Sequence, residues 1–267
     1  MKVNPQPTNR LYNDLAWLWP MWGDAAEYAN YCGHVAKLIE QHSQRRILTL
    51  LDIGCGGGKN ILNLKQDFSV SGMDLSPVML AQAKQLNPEC AFFQGDMRSF
   101  SHDQPFDAIL MDDAISYMNC RKDFEAAFRT AHAHLNPGGV MVVTADVTKE
   151  TFLQNQTTTT PARRDGLEVV FVENVYDPDP TDDQYETTIV YLIRDQGRLL
   201  IETDHWILGV FSLDTWRTVL REIFVINYIV CTSKPTRNEK SRNSYYHFGN
   251  RTDHFLRHKL SAGRNPD

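Results

Sequence analysis

Three glycines, Gly54, Gly56 and Gly58, alternate with other residues directly after the apolar run 50–53. This spacing permits a sharp turn and lets backbone N–H groups approach a ligand with no Cβ in the way. Asp52, two residues before the first glycine, adds a carboxylate. The stretch predicts a strand-to-helix loop that binds a ligand through its backbone, with an ordinary tight turn as the alternative interpretation.

Two other glycine motifs do not fit this stretch. A dinucleotide fingerprint G-x-G-x-x-G that begins at Gly54 needs its third glycine at the position of Lys59. A phosphate-binding P-loop that ends at Gly58 and Lys59 needs glycine in place of Ile53 and Ser or Thr in place of Asn60. The remaining pattern is acid-x-Gly-x-Gly-x-Gly after a strand.

Two later acids stand where they can bind a nucleoside. Asp74 follows the glycine loop by about twenty residues, and its carboxylate can accept hydrogen bonds from both ribose hydroxyls. Asp96 can accept from the exocyclic amine of adenine, with Leu75 and Met97 on the two faces of the ring. Both acids stand at the ends of predicted strands. Ligands of doubly wound sheets lie beyond the carboxyl ends of the strands, so these acids are candidates for nucleoside contacts. A single strand-end Asp is more often a turn residue than a ligand contact, and it is the series of acids that indicates a site.

A further pair of acids, Asp112 and Asp113, follows the apolar run 106–111, and Tyr117 stands four residues beyond Asp113. Carboxylates at this position would attract a protonated amine, and Tyr117 could accept or relay the proton that must leave it. The alternative is that one acid caps the following helix and the other is solvated. The pair is therefore a candidate for holding an amine.

Strand and helix signals alternate from residue 47 to residue 144, which predicts a parallel sheet built from right-handed crossovers. The predicted strands are 47–53, 70–73, 91–94, 106–111 and 140–144. The predicted helices are 24–41, one through Leu62 and Leu64, 76–86 and 122–135, with Asp24 as a cap of the first. The run Asn136-Pro137-Gly138-Gly139 is expected to close the helix before it.

The pattern changes after residue 145. Residues 151–161 predict a polar linker, and the runs 167–175, 185–193 and 199–211 predict an antiparallel meander joined by turns at 177–183 and 195–197. A helix from Ser212 with Trp216, Val219 and Leu220 inward and a hairpin from 224–230 and 244–248 complete the chain. We expect an N-terminal helical cap (1–45), a Rossmann-like domain (46–150 and 212–250), an inserted substrate lid (151–211) and a polar tail (251–267).

The segment 11–22 is dense in aromatic residues, with Tyr12, Trp17, Trp19 and Trp22 in a short span that Pro20 interrupts. Large aromatic residues usually belong to a core. They also line ligand clefts. Both interpretations stay open.

Composition restricts the partners. The chain has 267 residues, a net charge of -6 and a pI near 5.8, which argues against binding a nucleic-acid backbone. Five cysteines without a C-x-x-C pair suit a reducing compartment without structural zinc. No apolar run approaches the roughly 20 residues of a membrane span. We expect one cytoplasmic domain with an insertion, no membrane or nucleic-acid partner and no metal; the oligomeric state stays open.

These stretches together resemble the class I S-adenosylmethionine-dependent methyltransferases. The resemblance rests on motif I at 51–58, the ribose acid in 70–76, the adenine acid in 94–97 and the run 106–108. It implies an α/β fold with a doubly wound, mostly parallel, seven-stranded Rossmann-like sheet and an inserted antiparallel β lid. It also implies S-adenosylmethionine as cofactor and a small-molecule acceptor.

Within that class, 95–98, 135–139 and the late meander are most similar to small-molecule N-methyltransferases, notably the dimethyltransferases of aminodeoxysugars. In that subgroup the meander forms a lid, and an N-terminal tyrosine stretch, here 11–14, closes over the cofactor. The subgroup has a Lys-Asp-Tyr element where this chain has Gly23-Asp24-Ala25. The residue that contacts the methionine end is therefore unassigned.

The residues and the resemblance together give three groups of candidate site residues. The catalytic candidates are Tyr117 and Asp113. The cofactor-binding candidates are Asp52, Gly54, Gly56, Gly58, Asp74, Leu75, Met79, Asp96, Met97 and Met111. The substrate-binding candidates are Tyr12, Trp22, Tyr191 and His205. We expect an amine nitrogen as acceptor; the alternatives are an oxygen acceptor with Tyr117 or His205 as base, and a non-catalytic S-adenosylmethionine-binding protein.

Overall fold

The computed structural model describes residues 7–23, 25–144, 147–224, 229–232 and 245–248. Its α-helices are Ala25–His42 (α1), Lys59–Leu64 (α2), Pro77–Leu86 (α3), Arg121–Ala133 (α4) and Leu213–Ile223 (α5). Its strands are Thr49–Ile53 (β1), Ser69–Asp74 (β2), Ala91–Gln94 (β3), Phe106–Asp112 (β4), Leu135–Thr144 (β5), Gln156–Arg164 (β6), Leu167–Tyr176 (β7), Gln184–Asp195 (β8), Arg198–Gly209 (β9), Ile229–Thr232 (β10) and Tyr245–Phe248 (β11). Short 3-10 helices span Arg10–Tyr12, Ala16–Met21 and Ala114–Tyr117.

The central sheet has five parallel strands in the order β3-β2-β1-β4-β5. Strand order reverses between β1 and β4, so the chain winds outward in both directions from β1. The predicted doubly wound parallel fold is confirmed. Beyond β5, β10 pairs parallel with it and β11 pairs antiparallel with β10, as the predicted closing hairpin requires. The total of seven strands stays a prediction, because much of the chain around these two short strands lies outside the described residues.

Helices cover both faces of this sheet because each presents an apolar stripe. On α4, Phe124, Ala127, Phe128 and Ala131 follow the helical repeat and are buried with Trp216 of α5 on one face. On the other face the buried residues come from α1 and α2 and include Val35, Ile39, Ile61 and Leu64. The predicted inward residues of the helix after Ser212, namely Trp216, Val219 and Leu220, are all buried.

Two of the predicted helix starts are capped by serine hydroxyls, at Ser76 for α3 and at Ser212 for α5. The predicted end of the fourth helix is wrong. This helix ends at Ala133, and Leu135 already pairs with Phe106, so the run 135–139 opens β5. Gly138 has the positive φ expected of the run (+78°), but inside the strand. The sheet captures this segment because the amide of Asn136 donates to the buried carboxylate of Asp107. The predicted cap Asp24 lies outside the described residues.

The inserted sheet is antiparallel in the order β6-β7-β8-β9. The predicted linker over 151–161 is therefore wrong, because most of it belongs to β6, which pairs along its length with β7. Threonines 157–160 are β-branched and suit an exposed edge strand. Asp165 and Gly166 both have positive φ and make a two-residue turn between β6 and β7, as Gln196 and Gly197 do between β8 and β9.

The inner face of this lid sheet packs against the N-terminal segment 8–22. Leu11 and Leu18 are fully buried there against Phe171, Ile189 and Tyr191. Helix α1, in contrast, packs on the central sheet. The expected N-terminal cap (1–45) therefore packs on both sheets, through segment 8–22 on the lid sheet and through α1 on the central sheet. The domain division stays a prediction. The expected tail 251–267 lies outside the described residues. None of the described helices has the length and apolar character to span a membrane.

Candidate active site

The glycine loop joins β1 to α2 and is held against the end of β2. The N–H groups of Gly54 and Cys55 both donate to the carbonyl of Met73, at 2.7 and 3.0 Å. Gly54 has a φ of +74°, and a Cβ built there would overlap the Cβ of Ala114. Gly56 has a φ of +52°, and Gly58 is the first residue before α2. The loop therefore requires glycine and presents backbone rather than side chains.

Asp74, the last residue of β2, is bonded directly to this loop. One carboxylate oxygen accepts from the N–H of Gly56 at 2.8 Å, and the other accepts from the N–H of Ser76 at 2.8 Å. Burial raises the pKa of Asp74 above its ordinary value, although these N–H donors oppose the shift. Asp52 is fully buried in the neighbouring strand, in register with Gly72 of β2. The structure thus brings the two acids and the loop to one edge of the sheet.

At the end of β3, Asp96 pairs with Arg98, whose guanidinium also pairs with Asp123. The hydrogen bond from Arg98 lowers the pKa of Asp96, so this carboxyl is ionised at neutral pH. Leu75 is 65% exposed, and the methyl of Met97 lies near Gly54. An ionised acceptor and two apolar side chains are the groups that an adenine ring requires.

Met79 and Met111, two other predicted cofactor contacts, are fully buried. Met111 belongs to the apolar core under α4 and α5. The structure therefore places these two side chains inside the protein, and their contact with the cofactor stays a prediction.

The two acids after β4 have different surroundings. Asp112 accepts from the amide of Asn60 at 2.8 Å and from the hydroxyl of Thr144 at 2.6 Å, so its carboxylate joins α2, β4 and β5. Asp113 has a φ of +56° and begins the 3-10 helix that carries Tyr117. A left-handed backbone at a residue other than glycine is a strained feature that often accompanies functional sites. Of the two, Asp113 is the candidate for contact with a ligand.

Tyr117 and Tyr12 form a hydrogen-bonded pair. The hydroxyl of Tyr117 donates to that of Tyr12 at 2.8 Å, and the rings meet edge to face. Trp206 of β9 contacts both rings. Burial raises the pKa of Tyr117 well above its ordinary value, and burial also raises that of Tyr12. Both phenols are therefore neutral at physiological pH and act as hydrogen-bonding groups rather than as bases.

The N-terminal segment lies across the ends of the strands. Its backbone carbonyls accept from side chains of the central domain: Tyr12 from the hydroxyl of Ser76 at 2.6 Å, and Trp19 from the ammonium of Lys59 at 2.9 Å. The lysine ammonium also donates to the carbonyl of Trp22. The segment therefore covers the glycine loop. Of its rings, Tyr12 and Trp19 pack together at the site, whereas Trp17 is 46% exposed and belongs to neither a core nor the cleft.

The predicted substrate contacts are only partly brought together. Trp22 packs edge to face on Phe171 of the inner lid face, and fully buried Tyr191 lies on the same face. Burial raises the pKa of Tyr191. His205 pairs across the sheet with exposed Thr188, so its side chain is on the outer face. The structure therefore does not bring His205 to the site.

The carboxylate of Asp204 accepts several hydrogen bonds that hold the N-terminal segment, a role that the sequence did not indicate. This buried carboxylate accepts from the N–H of Leu11 at 2.9 Å, the indole of Trp206 at 2.8 Å and the hydroxyl of Thr8 at 2.5 Å. The hydroxyl of Tyr191 donates to it at a longer 3.4 Å. These bonds fix the N-terminal segment to the lid. The sequence signal that could have indicated this role is an acid on the buried side of a strand whose residues alternate between buried and more exposed.

Residues 50–139 match a family model described as "Methyltransferase domain". We call this segment the methyltransferase domain, after the model that it matches. The match spans the glycine loop and the acids at the ends of β2, β3 and β4. No group of three or more His, Cys, Asp or Glu residues that could hold a metal ion is found in the described part of the chain.

Curated relatives of the methyltransferase domain occur in Streptomyces. The chain is 31% identical over 154 residues to the dTDP-3-amino-3,4,6-trideoxy-alpha-D-glucopyranose N,N-dimethyltransferase of Streptomyces venezuelae, covering 57% of this chain and 65% of that protein. It is 35% identical over 123 residues to the dTDP-3-amino-3,6-dideoxy-alpha-D-glucopyranose N,N-dimethyltransferase of Streptomyces fradiae, covering 45% and 48%. The chain thus spans about half to two thirds of the length of these relatives.

The crystal structure of Streptomyces venezuelae DesVI has the same fold. Its TM-score is 0.72 at 24% identity, and the superposition covers 85% of this chain and 93% of that one. The similarity therefore extends beyond the methyltransferase domain to most of the described chain, including the lid.

Proposed function

We propose that this protein is an enzyme that transfers a methyl group from S-adenosylmethionine to an amine nitrogen of a small molecule. The observation that carries the proposal is the bond between Asp74 and Gly56, which sets a half-buried carboxylate against a loop made mostly of glycine. The curated relatives, both named N,N-dimethyltransferases of amino sugars, support an amine acceptor.

The residues at the strand ends fit the nucleoside part of this cofactor. Asp74 has lone pairs beyond its two backbone bonds and would accept from the ribose hydroxyls. Asp96 would accept from the adenine amine, with exposed Leu75 on one ring face and half-buried Met97 on the other. A Cβ at Gly54 would overlap Ala114 and one at Gly56 would press on Trp19, so glycine at both positions keeps the loop close to these neighbours. The proposed fit therefore rests on the chemical type of these side chains and on the close packing around the glycines.

When bound, S-adenosylmethionine supplies a methyl group on a cationic sulfur. The lone pair of an acceptor nitrogen would form the bond to this carbon as the bond from carbon to sulfur breaks; the electron pair of the broken bond would stay on sulfur, and the nitrogen would then lose its proton to water. Because the methyl group is already activated, the main task of the protein is alignment. We assign that task to Asp113 and Tyr117, which follow β4 on one short turn.

The protonation states favour nitrogen over oxygen. A neutral amine already has the lone pair that attacks, whereas a hydroxyl acceptor benefits from a base. Tyr117 is unsuited as a base because burial raises its pKa, and His205 lies on the outer face of the lid. Asp113 would instead attract the protonated amine before it loses its proton.

The acceptor would bind between this turn and the inner lid face. Tyr12 and Trp22 stand at that boundary, and Tyr191 lies deeper on the same face. In this proposal, the unit 151–211 selects the acceptor and the N-terminal segment closes the site. Cytoplasmic location stays a prediction.

The test is an assay with S-adenosylmethionine that carries a labelled methyl group. A dTDP-linked sugar with a primary amine and its analogue with hydroxyl in place of the amine are the two acceptors. We expect label on the amine, with S-adenosylhomocysteine formed in equal amount. Preferential label on the hydroxyl analogue would overturn the amine assignment. Cofactor binding without product from any acceptor would favour a non-catalytic binding protein.

Asp113→Asn tests the assigned residue. We expect the KM for the amine acceptor to rise about tenfold, the effect of losing one charged hydrogen bond, with cofactor affinity unchanged. Asp165→Asn is the matched control, because Asp165 also has a left-handed backbone but lies in the exposed turn between β6 and β7. Equal kinetics for both variants would remove Asp113 from the site.

A further inference from the structure

The indole of Trp19 rests directly on the glycine loop. A Cβ built on Gly57 would overlap the indole nitrogen, and one built on Gly56 would lie 3.0 Å from the six-membered ring. Gly57 does not have a positive φ, so its backbone would accept other residues. The close approach of Trp19 explains why glycine is present at Gly57.

The indole N–H is a buried donor without an acceptor. Within the part of the chain that the structure describes, the nitrogen of Trp19 has no hydrogen-bond partner and no solvent-accessible surface. Buried donors in proteins are almost always paired, and an unpaired one opposes folding. A ligand on the glycine loop would supply the missing acceptor.

The surroundings favour an anionic acceptor. The ammonium of Lys59 lies 5.2 Å from the centre of the Trp19 ring and donates to the backbone carbonyls of Trp19 and Trp22. A positive charge at this distance makes the volume beside the indole favourable for a carboxylate. Asp74, on the other side of Gly56, would repel a carboxylate and attract hydroxyls.

Two binding groups therefore lie along the loop. The carboxylate of Asp74, beside Gly56, can accept hydrogen bonds from hydroxyls, and the indole N–H of Trp19, beside Gly57, can donate one. We propose that the indole N–H of Trp19 binds the carboxylate of the methionine part of S-adenosylmethionine. The inference rests on the proposed function, because that cofactor joins a ribose to an amino acid through one short chain. It assigns the methionine end, for which the sequence offers no residue. Trp19 thereby distinguishes ligands with the amino acid from those without it.

The experiment compares two ligands by calorimetry. S-Adenosylhomocysteine carries the carboxylate, and 5′-methylthioadenosine lacks the amino-acid part. Trp19→Phe keeps an aromatic ring and removes the N–H. We expect this variant to bind S-adenosylhomocysteine about tenfold more weakly and 5′-methylthioadenosine as the parent does. Trp17→Phe, the same change at an exposed neighbour, should affect neither ligand.

Each other outcome contradicts the inference. An equal loss for both ligands in Trp19→Phe would mean that the ring supports the adenosine part or the fold, and no loss would mean that the N–H has no ligand. If the parent binds neither ligand, the proposed function fails as well, which separates the two failures.

If the Trp19→Phe variant does not fold, a measurement on the parent protein tests the same assignment. In nitrogen-15 spectra, one indole N–H resonance should shift with S-adenosylhomocysteine and not with 5′-methylthioadenosine. The same shift with both ligands, or none with either, would overturn the assignment.

Discussion

The hydroxyl of Tyr117 donates a hydrogen bond to the hydroxyl of Tyr12 at 2.8 Å. One ring follows β4 and the other belongs to the N-terminal segment, so this bond connects the strand ends of the methyltransferase domain to the segment that covers them. Burial keeps both phenols neutral by raising their pKa. The pair is therefore a fixed contact at physiological pH.

This contact predicts non-additive effects of Tyr12→Phe and Tyr117→Phe. Either change removes the same hydrogen bond, so each should lower the free energy of unfolding by about 0.5 to 1.5 kcal/mol. The double variant should lose no more than the larger single loss. Urea unfolding measures all three, with Tyr176→Phe as an exposed control that should have no effect. Additive losses would show that the two hydroxyls act independently.

The raised pKa of Asp74 predicts opposite pH dependences for binding and for stability. Above that pKa the carboxylate is ionised and can accept from ribose, so affinity for S-adenosylhomocysteine should fall as pH falls through it. The ligand-free fold should gain stability from this group over the same range, because its folded pKa lies above its unfolded pKa.

Calorimetry and urea unfolding from neutral pH down to about pH 4, the ordinary pKa of an aspartate, check both trends for Asp74. Asp74→Asn should bind weakly at every pH and lose both dependences. An unchanged pH dependence in that variant would assign the effect to another group.

The carboxylate of Asp204 predicts a large structural effect at a residue remote from the glycine loop. Asp204→Asn leaves several buried donors without a charged acceptor and should lower the free energy of unfolding by about 2 to 4 kcal/mol. Glu202→Gln, which breaks only the half-exposed pair with Arg10, should cost about 1 kcal/mol or less. Proteolysis near residue 8 should accelerate only in the first variant. Equal effects would contradict the central role of Asp204.

Substitution by alanine should change the free energy of unfolding in opposite directions at Gly54 and at Gly33. Gly54→Ala places a Cβ against Ala114 in a left-handed backbone and should cost about 2 to 4 kcal/mol, with loss of S-adenosylhomocysteine binding. Gly33→Ala, inside α1 with nothing within 4 Å of the new Cβ, should stabilise by about 0.5 to 1 kcal/mol. Thermal unfolding with ligand titration measures both. A stable, ligand-binding Gly54→Ala protein would contradict the proposed loop geometry.

The sequence by itself determined the doubly wound sheet and the edge at which the site lies. Both follow from local patterns: apolar runs alternate with helical repeats, and parallel strands bring their carboxyl ends to one edge. Gly54, Asp74 and Asp96 could therefore be located before any contact was known. The sequence could also have predicted β6, because Asp165 and Gly166, which stand between β6 and β7, are a strong hairpin signal.

Only the tertiary structure decided which side chains meet. The bond from Leu11 to Asp204 joins residues 193 positions apart, and no periodicity encodes that pairing. Strand alternation left two faces open for His205, and packing of the N-terminal segment on the lid selected the outer one. Trp19 reached the glycine loop for the same reason: its position depends on hydrogen bonds from Lys59 and Gln82 to the backbone of its segment, and these form only in the folded chain.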